Sequence, residues 1–161
     1  MIQEAIVDTN IPVVANERAV QASPACVLQC KQFLREFTED QRILVIDSGW
    51  RIIKEYKQHL RQEGQPGVGD RFLKWVLTNL ANPQRCRQVA ITPVGDGREF
   101  AEFPDDPALA RFDRSDRKFV AVARACPSHP PVYNAVDSDW VHYRQLLAMH
   151  NVQVVQVCQS E

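Results

Sequence analysis

Long apolar runs are missing from this sequence. Stretches such as Ile43-Leu44-Val45-Ile46 fall well short of the roughly 20 residues a membrane-crossing helix needs. The opening residues Met1-Ile2-Gln3-Glu4 lack the basic-then-apolar pattern of a secretory leader, so a soluble cytoplasmic protein is expected. An excess of one charge is missing too. Nineteen Lys and Arg against 20 Asp and Glu leave a net charge of −1, so any contact with nucleic acid must come from a local basic patch. The five cysteines, Cys26, Cys30, Cys86, Cys126 and Cys158, are odd in number and scattered, with no C-x-x-C. They are expected to be buried or incidental thiols in a reducing cytosol. His59, His129, His142 and His150 lack paired metal spacing, which argues against structural zinc. No Ser/His/Asp or Cys/His arrangement stands out, and no repeat or low-complexity tract is found.

The 161 residues are 45% hydrophobic and 24% charged, which fits one globular domain over 1–161. Short apolar runs alternate with helical patterns. Ala5-Ile6-Val7 reads as a brief strand, and Ser23-Pro24 as an N-cap followed by proline in the first turn. Val27, Cys30, Leu34 and Phe37 then recur at helical spacing. Ile43–Ile46 suits a buried strand. Helices are expected over Trp50–Gln62, after Asp70, from Asp116 to about Ala125 and over Trp140–His150. Further strands are expected at Arg87–Val94, Val132–Val136 and Val152–Val157. The segment around 83–112, with Gly95-Asp96-Gly97 and Pro104-Asp105-Asp106-Pro107, reads as an irregular insertion without the apolar residues for a core of its own. Strands alternating with helices predict βαβ units and a mostly parallel sheet.

Three apolar runs stop at an aspartate: Asp8, Asp47 and Asp137. The C-terminal ends of parallel strands face the ligand crevice of such folds. Carboxylates gathered there repel one another, and hard divalent cations are their natural counter-ions. Glu55 falls at the edge of the apolar face of its helix, where it can reach past the core. Asp116 occupies a first helical turn, which favours an ionised carboxylate. Asp113 and Asp139 lie beside these residues. Asp47 before Ser48 can equally serve as a helix cap, Asp139 can equally be a first-turn residue, and Asp113 reads as a solvated loop acid.

Four segments together resemble the PIN-like domain family. Ile6-Val7-Asp8-Thr9-Asn10 is similar to its opening block. The stretch Leu44 to Leu60 with Glu55-Tyr56, the stretch Asp113 to Ala123, and Val132 to Trp140 with Asp137-Ser138-Asp139 resemble the next three, in the same order. The resemblance implies a three-layer α/β/α fold with a mostly parallel five-stranded sheet. It implies an Mg2+- or Mn2+-dependent ribonuclease. Many members are toxins of toxin–antitoxin pairs, so RNA, an antitoxin protein and a homodimer mate are the implied partners. Carried over by position, Asp8, Glu55, Asp116 and Asp137 are the implied catalytic and metal-site acids, with Asp139 as a further ligand and Asn10 in support. Ala135 stands where the family usually has Thr, and the 83–112 insertion is longer than in compact toxin members.

On this reading Asp8 and Asp116 ligate metal, Asp137 completes the site, and Glu55 holds or deprotonates the attacking water. Arg51, Lys54, Arg114, Arg117 and Lys118 flank these acids and are the candidate nucleic-acid-binding residues, with Arg85 and Arg87 opening the insertion. Each can also be an ordinary solvated charge on a helix face. Trp50, Trp75 and Trp140 read as packing residues more readily than as base-stacking platforms. Two rivals stand beside the nuclease: a PIN-like binding module whose metal site is too weak to work, and a receiver- or phosphatase-like domain that accepts phosphate on a strand-end aspartate.

Overall fold

The structure, a computed structural model, describes residues 3–158. Met1 and Ile2, which enter the reading of the N-terminus, lie outside the described residues. The order of elements is β1 (Glu4–Val7), α1 (Asn10–Ala15), α2 (Pro24–Glu39), β2 (Ile43–Asp47), α3 (Arg51–His59), α4 (Val68–Asn79) and β3 (Cys86–Val89). A two-stranded hairpin follows, β4 (Pro93–Val94) and β5 (Glu99–Phe100). Then come α5 (Arg117–Ala125), β6 (Val132–Asn134), α6 (Ser138–His142), α7 (Arg144–Met149) and β7 (Val154–Gln156).

Five strands form one sheet in the order β3-β2-β1-β6-β7, and every pairing in it is parallel. Helices flank the sheet in a three-layer α/β/α arrangement, as expected. A parallel sheet covered on both sides buries whole strands, which is why β2 reads as an unbroken apolar run with all five residues buried. The strand order reverses between β1 and β6, the point at which such sheets open a crevice beyond their C-terminal ends.

Local chemistry explains the boundaries. Ser23 Oγ accepts the Cys26 N–H at 3.1 Å, capping α2 one residue before its first-turn proline. Helix α4 starts at Val68, before Asp70. From the third helical position, Asp70 Oδ2 accepts the Gly67 N–H at 2.9 Å. The expected last helix is two short ones, with a break at Tyr143. An aromatic group of Phe37, Phe72, Trp75 and Tyr56 fills the space between α2, α3 and α4.

The 83–112 segment keeps its expected strand, shifted to Cys86–Val89, and is more regular beyond it than expected. Its first strand completes the sheet, its hairpin is regular, and Phe100, Phe103, Leu109 and Phe112 are buried within the main core. The apolar residues that seemed too few for a separate core are anchors into the existing one. A second correction concerns the thiols. Cys26 and Cys158 form a disulfide across 132 residues of sequence, whereas Cys30, Cys86 and Cys126 are free and buried. Scattered spacing gave no sign of the pairing, because α2 and the segment after β7 meet only in the folded chain.

The cross-link removes freedom from the unfolded chain, and more so for long loops. Reduction, or Cys158→Ser, should lower unfolding free energy by roughly 2–5 kcal/mol in denaturant titration. Equal midpoints with and without reductant would show that the bond does not carry this stability.

Candidate metal centre

Asp8 directly follows β1 and is only 4% exposed; Asp116, the residue before α5, is 7% exposed. Several groups fix Asp8 in place. Its Oδ2 accepts the Asn10 backbone N–H at 2.9 Å, and its Oδ1 accepts the indole N–H of Trp140 at 3.1 Å. Trp140 is fully buried against Phe112 and Phe119, so the donor cannot swing away. One residue earlier, the Tyr56 hydroxyl donates to the Val7 carbonyl at 2.5 Å. Asn10 ties this loop to the end of β6. Its amide donates to Asn134 Oδ1 at 2.7 Å, and its Oδ1 accepts the Ala135 N–H at 2.9 Å.

The other expected acids divide by their partners. Glu55 accepts from Thr9 Oγ1 and from the Lys118 ammonium, the latter at 2.8 Å. Asp137 accepts the Asp139 N–H at 2.9 Å, which caps α6. Asp139 accepts the Asp113 N–H at 3.1 Å and so ties together the loops that carry Asp137 and Asp116. Asp47 is a helix cap, accepting the N–H groups of Arg51 and Ile52 at 2.9 Å each. Among the described residues, no three of the acids have ligand atoms all within 4.8 Å of one another. The expected four-acid set is therefore not assembled as one tight cluster: Asp8 and Asp116 are buried, and Glu55 is bound to its lysine.

The electrostatics follow from this geometry. Burial pushes the Asp8 carboxyl up to about 7, against the bond from the Asn10 N–H, with repulsion from Glu55 and Asp137 adding to the rise. Burial also pushes Asp116 up to about 10, helped by the negative charge of Asp8 and by a hydrogen bond shared with Asp137. Two buried carboxylates that repel each other suit an added cation, and the donor set is all oxygen, as Mg2+ and Mn2+ prefer. The all-oxygen donors of Asp8, Asp116 and Asp137 are compatible in their chemistry with such an ion.

The basic residues also separate. Lys54 is exposed, while Arg51 lies over the Phe100 ring at 5.6 Å and reaches Asp47 at 3.5 Å. Arg114 meets Glu99 at 2.9 Å and Asp96 at 3.6 Å, which fastens the hairpin to the start of α5. Arg117 corrects the sequence reading. It is 8% exposed, pairs with Glu99 at 2.7 Å, donates to the carbonyls of Phe112 and Ala110, and stacks on Phe103. Its guanidinium holds the insertion in place and is not available to a phosphate. Arg87 pairs with Glu4 at 2.8 Å, at the opposite end of β1 from Asp8. Arg98, unnoticed in sequence, joins Arg51, Lys54, Arg114 and Lys118 around a cleft of about 270 Å³ beside Glu55. Only the hairpin fold brings it there, so no local pattern could have revealed it. Trp140 and Tyr56 were legible as packing residues, but their bonds to Asp8 and Val7 were not.

No protein-family model, curated protein or solved structure matches this chain.

Both raised carboxyls have the same sign of linkage. The folded protein keeps protons that the unfolded chain releases above about pH 4. Their contribution to stability is full below that pH and is lost as pH climbs through about 7 for Asp8 and toward about 10 for Asp116. With chelator present, thermal unfolding should therefore move to lower temperature between pH 5 and pH 8, as set by these two groups. Asp116→Asn should flatten that fall and add about 1 kcal/mol at pH 8, roughly 2–4 °C. An unchanged slope in the variant would mean that Asp116 is not held in the protonated form.

Proposed function

We propose that this chain is a PIN-like, Mg2+- or Mn2+-dependent ribonuclease whose metal is held by Asp8, Asp116 and Asp137. The observation that carries this reading is the joint burial of Asp8 and Asp116 at the switch point of an all-parallel sheet. A divalent cation there supplies charge neutralisation for the scissile phosphate and acidifies water at neutral pH. The resemblance of the four acidic segments in chain order supports the same assignment.

The protein's own groups account for the remaining requirements. Trp140 and the Asn10 N–H hold the Asp8 oxygens in fixed directions, so little reorganisation is needed when charge develops. The Asn10–Asn134–Ala135 bonds tie the β1 and β6 ends together. Glu55, held by the Lys118 ammonium at 2.8 Å, would be the group to accept a proton from the attacking water. Arg98, Arg51 and Lys54 surround the adjoining cleft with positive charge, suited to the backbone of a single strand.

A labelled RNA pool incubated with Mn2+, Mg2+ or chelator tests the reaction. Cleavage should require the ion and should fall by about 100-fold or more in Asp8→Asn and Asp116→Asn. No cleavage, or cleavage indifferent to both substitutions, would leave the pocket to a binding module without catalysis. For the rim, Arg98→Ala should weaken single-stranded RNA binding and reduce the salt slope of log affinity by about 1. Because Arg98 is exposed, its thermal stability should match wild type. An unchanged salt slope would remove Arg98 from the substrate path.

A further inference from the structure

Three sulfur atoms meet where the first turns of α2 face the segment after β7. Cys26 and Cys30 are four residues apart on α2, which sets them on one face of the helix. Cys158 arrives from the far end of the sequence. All three Sγ atoms lie within 4.8 Å of one another, and the free Cys30 Sγ is 3.7 Å from that of Cys158. The cluster is built on α2 and the segment after the edge strand β7, apart from the acids that follow β1 and β6.

We propose that reduction of the Cys26–Cys158 bond turns this cluster into a soft-metal site, in which Cys26, Cys30 and Cys158 hold one zinc-class cation. Two thiolates on a tetrahedral zinc with bonds of about 2.3 Å stand roughly 3.8 Å apart. The Cys30–Cys158 separation already matches this. A cleft lined by Ser23, Cys26, Arg144, Gln156 and Cys158 adjoins the sulfurs and leaves room for water as a fourth ligand. The chemistry balances in two steps. Two molecules of a small thiol reductant give up two electrons and two protons to the disulfide and leave as their own disulfide. The three cysteine thiols then release three protons to solvent as the cation binds. The two states exclude each other, since the disulfide consumes two of the three ligands.

The alternative use of the cluster is thiol–disulfide exchange, with Cys30 attacking Cys158 and releasing Cys26. Burial pushes the Cys30 thiol up to about 12. Burial thus disfavours its thiolate as a free nucleophile. A cation, by contrast, displaces the proton directly. This inference does not depend on the nuclease reading.

The test uses the full chain reduced with a phosphine, freed of it without oxygen, and titrated with Co2+. Sulfur-to-cobalt charge-transfer absorbance should grow to saturation at one equivalent, be displaced by Zn2+, and be absent from the oxidised protein. It should be lost in Cys30→Ser and kept in Cys126→Ser and Asp8→Asn. Cobalt held by carboxylates gives no such band, so binding in the acidic pocket cannot imitate the result. A reduced wild type without a saturable band overturns the proposal, as does a band that survives in the oxidised protein or in folded Cys30→Ser. Should Cys30→Ser fail to fold, the oxidised and reduced wild type decide the matter between them.

Discussion

Two carboxylates held out of water next to each other, Asp8 and Asp116, set the requirements for everything at the C-terminal end of the sheet. Burial of one carboxylate is costly, and burial of two that repel is costlier still. The surroundings are arranged to tolerate this. Trp140 and the Asn10 N–H donate to Asp8, Tyr56 fixes the strand that leads to it, and the side chain of Asn10 ties that strand to β6. These bonds lower the cost but leave negative charge in excess, and protons or a divalent cation must offset the remainder. The same balance makes the two groups sensitive to pH.

The insertion solves a neighbouring problem. On the proposed reading, the acids Asp8, Asp116 and Asp137 would repel a nucleic-acid strand, so cations would have to flank them. Arg117 and Arg114 are spent on Glu99 and on backbone carbonyls, which fixes the hairpin against α5. The hairpin in turn brings Arg98 beside Arg51 and Lys54. Lys118 takes the place nearest the acids and pairs with Glu55. The cations thus fall into two groups, one that builds the rim and one that faces outward from it.

Much of this was legible beforehand, for identifiable reasons. The parallel sheet followed from unbroken apolar runs such as Ile43–Ile46 alternating with helical periods, because a strand buried on both faces has no polar side. Asp8 stood out because an acid that ends a buried strand has few structural uses. Asp47 had two open readings, and its bonds to Arg51 and Ile52 decide for the cap. The rest depended on contacts distant in sequence. The Cys26–Cys158 bond, the burial of Arg117 and the bond from Trp140 to Asp8 join residues from separate elements. A single sequence carries no local trace of such pairings. In the 83–112 segment the short hairpin was not legible, because its phenylalanines, too few for an independent core, anchor it on an existing one.

Manganese binding followed by electron paramagnetic resonance tests most directly whether Asp8 and Asp116 hold a divalent cation. The signal of free Mn2+ should fall on addition of wild-type protein near neutral pH, with the loss reversed by Mg2+ and abolished in Asp116→Asn and Asp8→Asn. A free-Mn2+ signal untouched by the wild type, or reduced equally by the folded aspartate variants, would contradict the account.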